Sequence, residues 1–225
     1  VKARTRPYNI TQIFQQGYDV TGTQQAVAHY GGITSEIDDA MADAMKELGL
    51  DVELAWFASS TRVEGDDATE RVAGGLKYFI STNKMANGGT GRAYTETLLK
   101  QAIQKSWSAG GVPKWVFQSG DNQNIANGFK GGNTANQDAK DKKTVAAVDV
   151  YVSSFGTVKF VPHRQLTNAD VFALDTQYLE TRYLRRFKDT ELPKIADAEK
   201  RNILGELSFV VKAEKAQAWI TDLNT

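Results

Sequence analysis

The chain contains no cysteine among its 225 residues, which rules out disulfides and thiolate metal sites and fits a reducing interior. Histidine is nearly as scarce: His29 and His163 are the only two, far apart in sequence. They leave little material for an imidazole metal site or acid–base pair. No apolar run approaches the length of a membrane span, and no signal peptide is visible. Net charge is also missing, since 27 Lys and Arg balance 27 Asp and Glu. Strong general attraction to nucleic acid or to an anionic membrane is therefore not expected. No repeat of fixed period appears and no linker divides the chain cleanly. What remains is an ordinary soluble composition, 41% hydrophobic and 24% charged, long enough for one large domain or two modest ones. Position 1 is Val and not Met, as expected of a processed product or of the ordered part of a longer chain.

The strongest local signal runs from Thr34 to Ala58. Ile37, Ala40, Met41, Ala44, Met45, Leu48 and Val52 recur at the three-and-four spacing of one helical face. Glu36, Asp38, Asp39, Asp43, Lys46 and Glu47 fill the other side. Thr34 or Ser35 supplies a cap, and the early carboxylates suit the positive end of the helix dipole. At about 1.5 Å per residue the helix is roughly 35–40 Å long. Gly49 is a weak point inside it, costing about 1 kcal/mol relative to Ala. Periodicity alone fits an ordinary core helix.

Ahead of this helix, residues 1–7 alternate basic and small side chains (Lys2, Arg4, Arg6) and carry no hydrophobic period, as an extended arm held by a neighbour would. Tyr8, Ile10, Gln12 and Phe14 share one parity, Tyr18, Val20 and Gly22 form a further run after Gly17, and Thr11, Thr21 and Thr23 suit strands, which predicts an irregular two-stranded hairpin leading to the Gly31-Gly32 break. A lone hairpin needs something to lie on. Beyond the helix, Thr61 to Asp67 reads as a polar loop and Ala68 to Ser81 as a short helix with Val72, Leu76, Phe79 and Ile80 inward. Asn83 to Arg92 reads as a mobile glycine-rich loop. A second helix spans Thr95 to Ser108, with Leu98, Leu99, Ala102, Ile103 and Trp107 inward and Gly110-Gly111 as its stop. Lys114 to Gln118 is a short buried strand, Asn122 to Phe129 a helix, and Gly131 to Lys143 an exposed loop. Strands follow at Val145–Val152, Gly156–Pro162 and Val171–Leu174, then a stretch from Tyr178 to Phe187 that mixes aromatics with arginine. Ile203, Gly205, Leu207, Phe209 and Val211 share one parity, with Glu206, Ser208 and Lys212 on the other, which predicts a long half-buried strand. Ala216 to Asp222 is expected to pair back on it. The fold class is α+β.

No catalytic constellation stands out. Gly88-Gly89-Thr90-Gly91-Arg92 lacks the lysine and the preceding apolar strand of a phosphate loop. Glu64, Asp66 and Asp67 do not have the spacing of a calcium loop. Asp149 and His163 lie on neighbouring strands, but no Ser or Cys stands in a nucleophile motif beside them. Arg182, Arg185, Arg186 and Lys188 form a cationic cluster with three readings: solvated charges, phosphate contacts, or partners for carboxylates of a neighbouring copy, which suit arginine's forked donors.

Several stretches, taken in order, resemble one subfamily of tailed-bacteriophage major capsid proteins: Arg6-Pro-Tyr-Asn-Ile-Thr-Gln-Ile-Phe, Val20-Thr-Gly-Thr-Gln-Gln-Ala-Val27, and Lys46-Glu-Leu-Gly-Leu-Asp-Val-Glu53. The likeness continues through Val158-Lys-Phe-Val-Pro-His-Arg164, Val171-Phe-Ala-Leu-Asp175, Tyr183-Leu-Arg-Arg-Phe187, Asp197-Ala-Glu-Lys200 and Val211-Lys-Ala-Glu-Lys215. It is weak between about Ala58 and Thr95.

The resemblance implies the Hong Kong 97-type shell fold. Residues 1–7 would end an N-terminal arm, 8–33 form the extended loop, and 34–94 hold the spine helix and part of the peripheral domain. Residues 95–192 would form the axial domain, and 193–225 would return to the peripheral domain. It further implies a structural protein without cofactor or metal, assembling in the host cytoplasm into pentamers and hexamers of an icosahedral head. Its partners would be copies of itself, a portal, scaffold or decoration proteins, and packaged double-stranded DNA held non-specifically, with no membrane. Candidate subunit-interface residues are Arg4, Arg6, Tyr8, Phe14, Tyr18, Arg182, Arg185 and Arg186. Some relatives weld their shells through a lysine on the extended loop; no lysine lies between Pro7 and Met45 here, so a non-covalent shell is expected. An encapsulin-like nanocompartment shell, or a stand-alone enzyme or ligand-binding α+β domain, are the alternatives.

Overall fold

The computed structural model describes residues 7–27, 35–129, 150–194 and 196–224. In chain order the elements are β1 (Gln12–Thr21), α1 (Gly22–Ala26), α2 (Glu36–Ala58), α3 (Leu76–Phe79), β2 (Lys84–Met85), β3 (Arg92–Ala93), α4 (Glu96–Ser108) and β4 (Trp115–Gln118). There follow α5 (Gly120–Ala126), β5 (Val150–Ser153), β6 (Gly156–Pro162), β7 (Val171–Leu174), β8 (Leu179–Glu191), β9 (Ala198–Val211), β10 (Ala218–Ile220) and β11 (Leu223–Asn224). They fall into two compact units: Val1–Gly75 with Thr181–Val210, and Leu76–Glu180 with Val211–Thr225. This division differs from the expected one, because residues 76–94 and 211–224 join 95–180 while 181–192 join the long helix. The expectations for residues 1–6, His29, Gly31-Gly32, Thr34, Gly131–Lys143 and Asp149 lie outside the described residues.

The first unit is a three-stranded sheet in the order β1-β9-β8 with α2 laid against it. Ser35 caps α2 by accepting from the Asp38 amide at 3.3 Å, ahead of three acidic residues in the first turn. The helix continues through Gly49, where a side chain would meet only open space. Ala44 and Leu48 are buried, but Met45, expected inward, is exposed, so the buried stripe is narrower than the sequence implied. Leu48 packs with Phe14, Ala73, Leu207 and Phe209, backed by Val52, Ala55, Trp56 and Phe187. The Trp56 ring lies 4.5 Å from that of Phe209, and its indole N–H donates to Thr181.

Two expectations fail in this unit. Residues 8–27 are not a hairpin: β1 is one strand, antiparallel to β9 from Gln12↔Leu207 to Thr21↔Ala198. Gly17 stays in register opposite Asn202 and is not among the positive-φ glycines, so no turn forms there. Residues 68–75 are not helical either; Val63 and Val72 make a bridge, and helix appears only at Leu76. The amides of Val72, Ala73 and Gly74 donate instead to the Val63 carbonyl and the Gln12 and Asn9 side chains, and at Gly75 a Cβ would lie 2.5 Å from the Ala55 carbonyl and 2.6 Å from that of Trp56. The backbone comes too close to α2 for any other residue.

The second unit is built on a six-stranded sheet in the order β2-β10-β7-β4-β6-β5. The β4–β6 and β10–β2 pairs are parallel and the rest antiparallel. Thr95 caps α4 through the Leu98 amide. Its far end closes in a Schellman motif: Gly110 N–H bonds Trp107 O, Gly111 N–H bonds Ser106 O, and Gly110 takes φ +90. Leu98, Leu99, Ala102 and Ile103 face the sheet and join Val116, Val158, Phe160, Val171, Ala218 and Ile220 in one core. Trp107, expected inward, is exposed, with its ring tilted against Phe155. Residues 216–222 do not return to β9: β10 pairs with β7 and β2 inside this sheet. All four residues of β7 are buried, which leaves an all-apolar partner strand for β10 to complete.

Candidate functional site

The glycine-rich loop at 83–92 is tied down, not loose. Asp222, itself at φ +62, accepts from the amides of Asn87 at 2.6 Å and Gly89 at 3.0 Å. Those two bonds hold its carboxyl below the usual range. The amides that a phosphate would need are thus already turned onto an internal carboxylate. The acidic loop at 64–67 is likewise engaged locally. Asp66 accepts from the amides of Ala68 and Thr69, which depress its pKa, and Glu64 accepts from the Tyr8 hydroxyl at 2.6 Å. The loop borders a groove of about 780 Å³ that Gln12, Ile13 and Gln15 line from β1. Among the described residues no group of three or more His, Cys, Asp or Glu is placed to hold a metal ion. The His163 ring accepts from the Gln165 amide at Nδ1.

The candidate interface residues have separate fates. Tyr8 is exposed, with the Arg62 guanidinium 3.9 Å above its ring. Phe14 is 6% exposed and lies inside the subunit's own core, so it is unavailable to a neighbour. Alternating strand positions send Gln12, Phe14 and Gln16 to the face that α2 covers. Tyr18 donates to Asp189 at 3.1 Å, and Asp189 also pairs with Arg201 at 3.3 Å. Burial first, then Asp189, raises the Tyr18 pKa. Arg4 and Arg6 lie outside the described residues.

The cationic cluster sits on β8, an outer strand of its sheet. Arg185 donates to Glu206 at 2.9 Å, and the same carboxylate takes the Thr11 hydroxyl at 2.5 Å and approaches Arg71 at 3.6 Å. Glu206 is buried, yet the Thr11 hydrogen bond and then Arg185 keep its pKa low. Arg186 and Lys188 are exposed and make no ion pair among the described residues. Arg182 is exposed on the same strand. Beside these cations, Tyr183 and Leu184 are 50% and 66% exposed. The outer side of α2 carries a second apolar set, Leu50 and Leu54, among carboxylates. Sequence reasoning missed Glu206, Asp189 and Arg201, since parity alone assigned Glu206 to solvent. Its signal was a carboxylate set inside an otherwise apolar strand run. The arrangement offers no reacting constellation; it offers exposed apolar groups edged with charge, the composition of surfaces that meet other proteins.

A family model described as SU10 major capsid protein matches residues 1–224. Among solved structures, the chain is similar to the cyanophage A-1(L) capsid, with TM-score 0.64, 16% identity, and coverage of 95% of this chain and 77% of that one. It is similar to the SrpI encapsulin of Synechococcus elongatus PCC 7942, with TM-score 0.64, 10% identity, and coverage of 95% and 74%. It is also similar to a chain of Mycobacterium phage Bobi, with TM-score 0.61, 10% identity, and coverage of 96% and 73%. At such identities the likeness is one of fold. Among curated proteins none matches the sequence.

Proposed function

The chain belongs to the SU10 major capsid protein family, and from that premise we propose that its copies form pentamers and hexamers of an icosahedral head around double-stranded DNA of a tailed phage. It has the Hong Kong 97-type fold and is a structural, non-enzymatic shell subunit of a virion, with many copies of itself as partners. The observation that carries the reading is the family match over residues 1–224. Two compact units that expose apolar side chains edged with charge agree with it.

In this reading α2 is the spine helix, residues 1–7 end the arm, and 8–33 correspond to the extended loop, of which β1 lies along β9 of its own subunit. The sheet of β2, β10, β7, β4, β6 and β5 serves the axial domain, and β8 and β9 serve the peripheral domain. Tyr8, Tyr18, Arg182, Arg185 and Arg186, with Arg4 and Arg6, are the proposed contact residues. Rings arise from head-to-tail contacts, in which one patch meets a different patch on the next copy. Individually modest contacts then hold the shell through their number. Portal, scaffold or decoration proteins complete the head in the host cytoplasm, and DNA touches the wall without sequence readout.

A nanocompartment shell is the second reading, favoured by the encapsulin likeness alone. Cryo-microscopy of purified particles with a nucleic-acid assay separates the two. DNA-filled heads with five- and six-fold capsomers support the phage shell; particles enclosing protein cargo and no genome support the alternative, and the absence of closed particles refutes both. The shell is also expected to be non-covalent. Denaturing gels of particles should give monomer bands, and a ladder of cross-linked species would contradict this.

A further inference from the structure

The geometry points to one specific contact between copies: the outer face of α2 receives the exposed face of β8 from a neighbouring subunit. The inference rests on the shell reading and adds to it which surfaces meet. Helix α2 carries seven carboxylates and one lysine, whereas residues 182–188 of β8 carry four cations and no carboxylate. The helix surplus of six negative charges and the strand surplus of four positive ones are opposite in sign, within a chain that is neutral as a whole. Lys46 pairs with Asp43 and offsets one acid only.

The two surfaces also match in layout. Asp39, Asp43, Leu50 and Leu54 are all exposed and fall on one side of the helix by its 3.6-residue period. Leu184, Arg186 and Lys188 are exposed at alternate positions of the strand and so share one face. From Leu50 to Asp43 and Asp39 the helix rises about 10 and about 16 Å at ~1.5 Å per residue. From Leu184 to Arg186 and Lys188 the strand runs about 7 and about 13 Å at ~3.3 Å per residue. An antiparallel lay therefore sets Leu184 against Leu50 and Leu54, Arg186 near Asp43, and Lys188 near Asp39. Patches of opposite charge on different surfaces of one chain make a heterologous contact, the kind that closes into rings. Opposite potentials then fix the register and reject wrong pairings.

The strand's cations have one other chemistry open to them, nucleic-acid phosphate, and charge reversal separates the two. Particle yield is measured by sedimentation and negative-stain microscopy for the wild-type chain, R186E/K188E, D39K/D43K and the four-fold combination. Each double variant should lose at least about tenfold in yield, because like charges then face each other at every repeat of the contact. The four-fold variant, with the charges exchanged in register, should recover to within about threefold of wild type. Far-ultraviolet dichroism of the unassembled subunits checks that all four chains fold alike; the four positions are exposed, and the Asp43–Lys46 surface pair is worth little. A four-fold variant no better than either double variant overturns the contact, as does normal assembly of both. Normal yield with lost DNA retention in R186E/K188E assigns the cations to nucleic acid and overturns it too. A wild-type chain that forms neither closed particles nor capsomer rings defeats the shell reading itself, and the inference with it.

Discussion

Asp170 lies at the entry to β7 and is 3% exposed. Its carboxylate accepts from Lys77 Nζ at 2.7 Å, Thr167 Oγ1 at 2.7 Å and Trp219 Nε1 at 2.8 Å, joining α3, the turn before β7 and β10. Replacing it with Asn keeps the shape but removes the charge and leaves Lys77 without its counter-ion. Breaking a buried ion pair from one side costs about 3–5 kcal/mol. The Lys77 side chain is 19% exposed, and water recovers part of that, so about 2–3 kcal/mol is expected. At roughly 2–4 °C per kcal/mol for a chain of this size, the melting temperature should fall by about 4–12 °C. Burial alone would raise the carboxyl pKa, but Lys77, Thr167 and Trp219 together hold it below the usual range. Because the folded pKa is depressed, the unfolded chain binds the proton more readily in acid. The carboxylate's stabilisation is then complete above the usual carboxylate pKa of about 4 and is lost as pH falls through the lower folded value. The Asn variant should therefore melt lower at pH 7 and show a shallower loss of stability toward pH 2–3. Thermal unfolding of the unassembled subunit by near-ultraviolet dichroism, from pH 2.5 to 7, reads both effects. A cycle with Lys77→Met should give a coupling of about 1–3 kcal/mol. A D170N chain that melts within 1 °C of wild type with an unchanged acid limb would refute the reasoning.

Other consequences follow from the packing. Gly205→Ala puts a Cβ 2.4–2.9 Å from the Phe187 ring, so β8 and β9 must part locally; a loss of about 1–3 kcal/mol is expected in denaturant titrations. Leu48→Ala empties the space between α2 and β9, and should cost about 2–5 kcal/mol with an unchanged m-value. Ser35→Ala removes the α2 cap and should cost about 1 kcal/mol, restored by Asp at that position.

The sequence made α2 and α4 legible because helix periodicity, capping residues and the Gly110-Gly111 stop are all local. The β9 strand was legible for the same kind of reason, since parity from Ile203 to Phe209 marks its buried face without knowledge of its partner. What β1 pairs with was not legible: its ladder to β9 joins residues about 180 positions apart, and a glycine between two alternating runs imitates a turn. Residues 216–222 were misassigned because the nearest strand in sequence was taken as the partner, whereas the apolar edge of β7 captured β10 instead. Met45 and Trp107 sit at the rims of their helical faces, where an apolar side chain fits the pattern whether or not a neighbour covers it. At the candidate site, the cationic run on β8 was readable as a cluster. That Arg185 serves Glu206 while Arg186 and Lys188 make no ion pair among the described residues was not, because this depends on the β9 register and on Thr11 and Arg71 arriving from distant segments.

The central claim is enclosure by copies of one chain, and the mass of what the chain forms by itself tests it most directly. Light scattering in line with size exclusion, on chain expressed alone and imaged from the same fraction, should show closed particles or capsomer rings of five and six subunits. A single stable species of one-subunit mass across the accessible concentration range, with no rings on the grid, would contradict it.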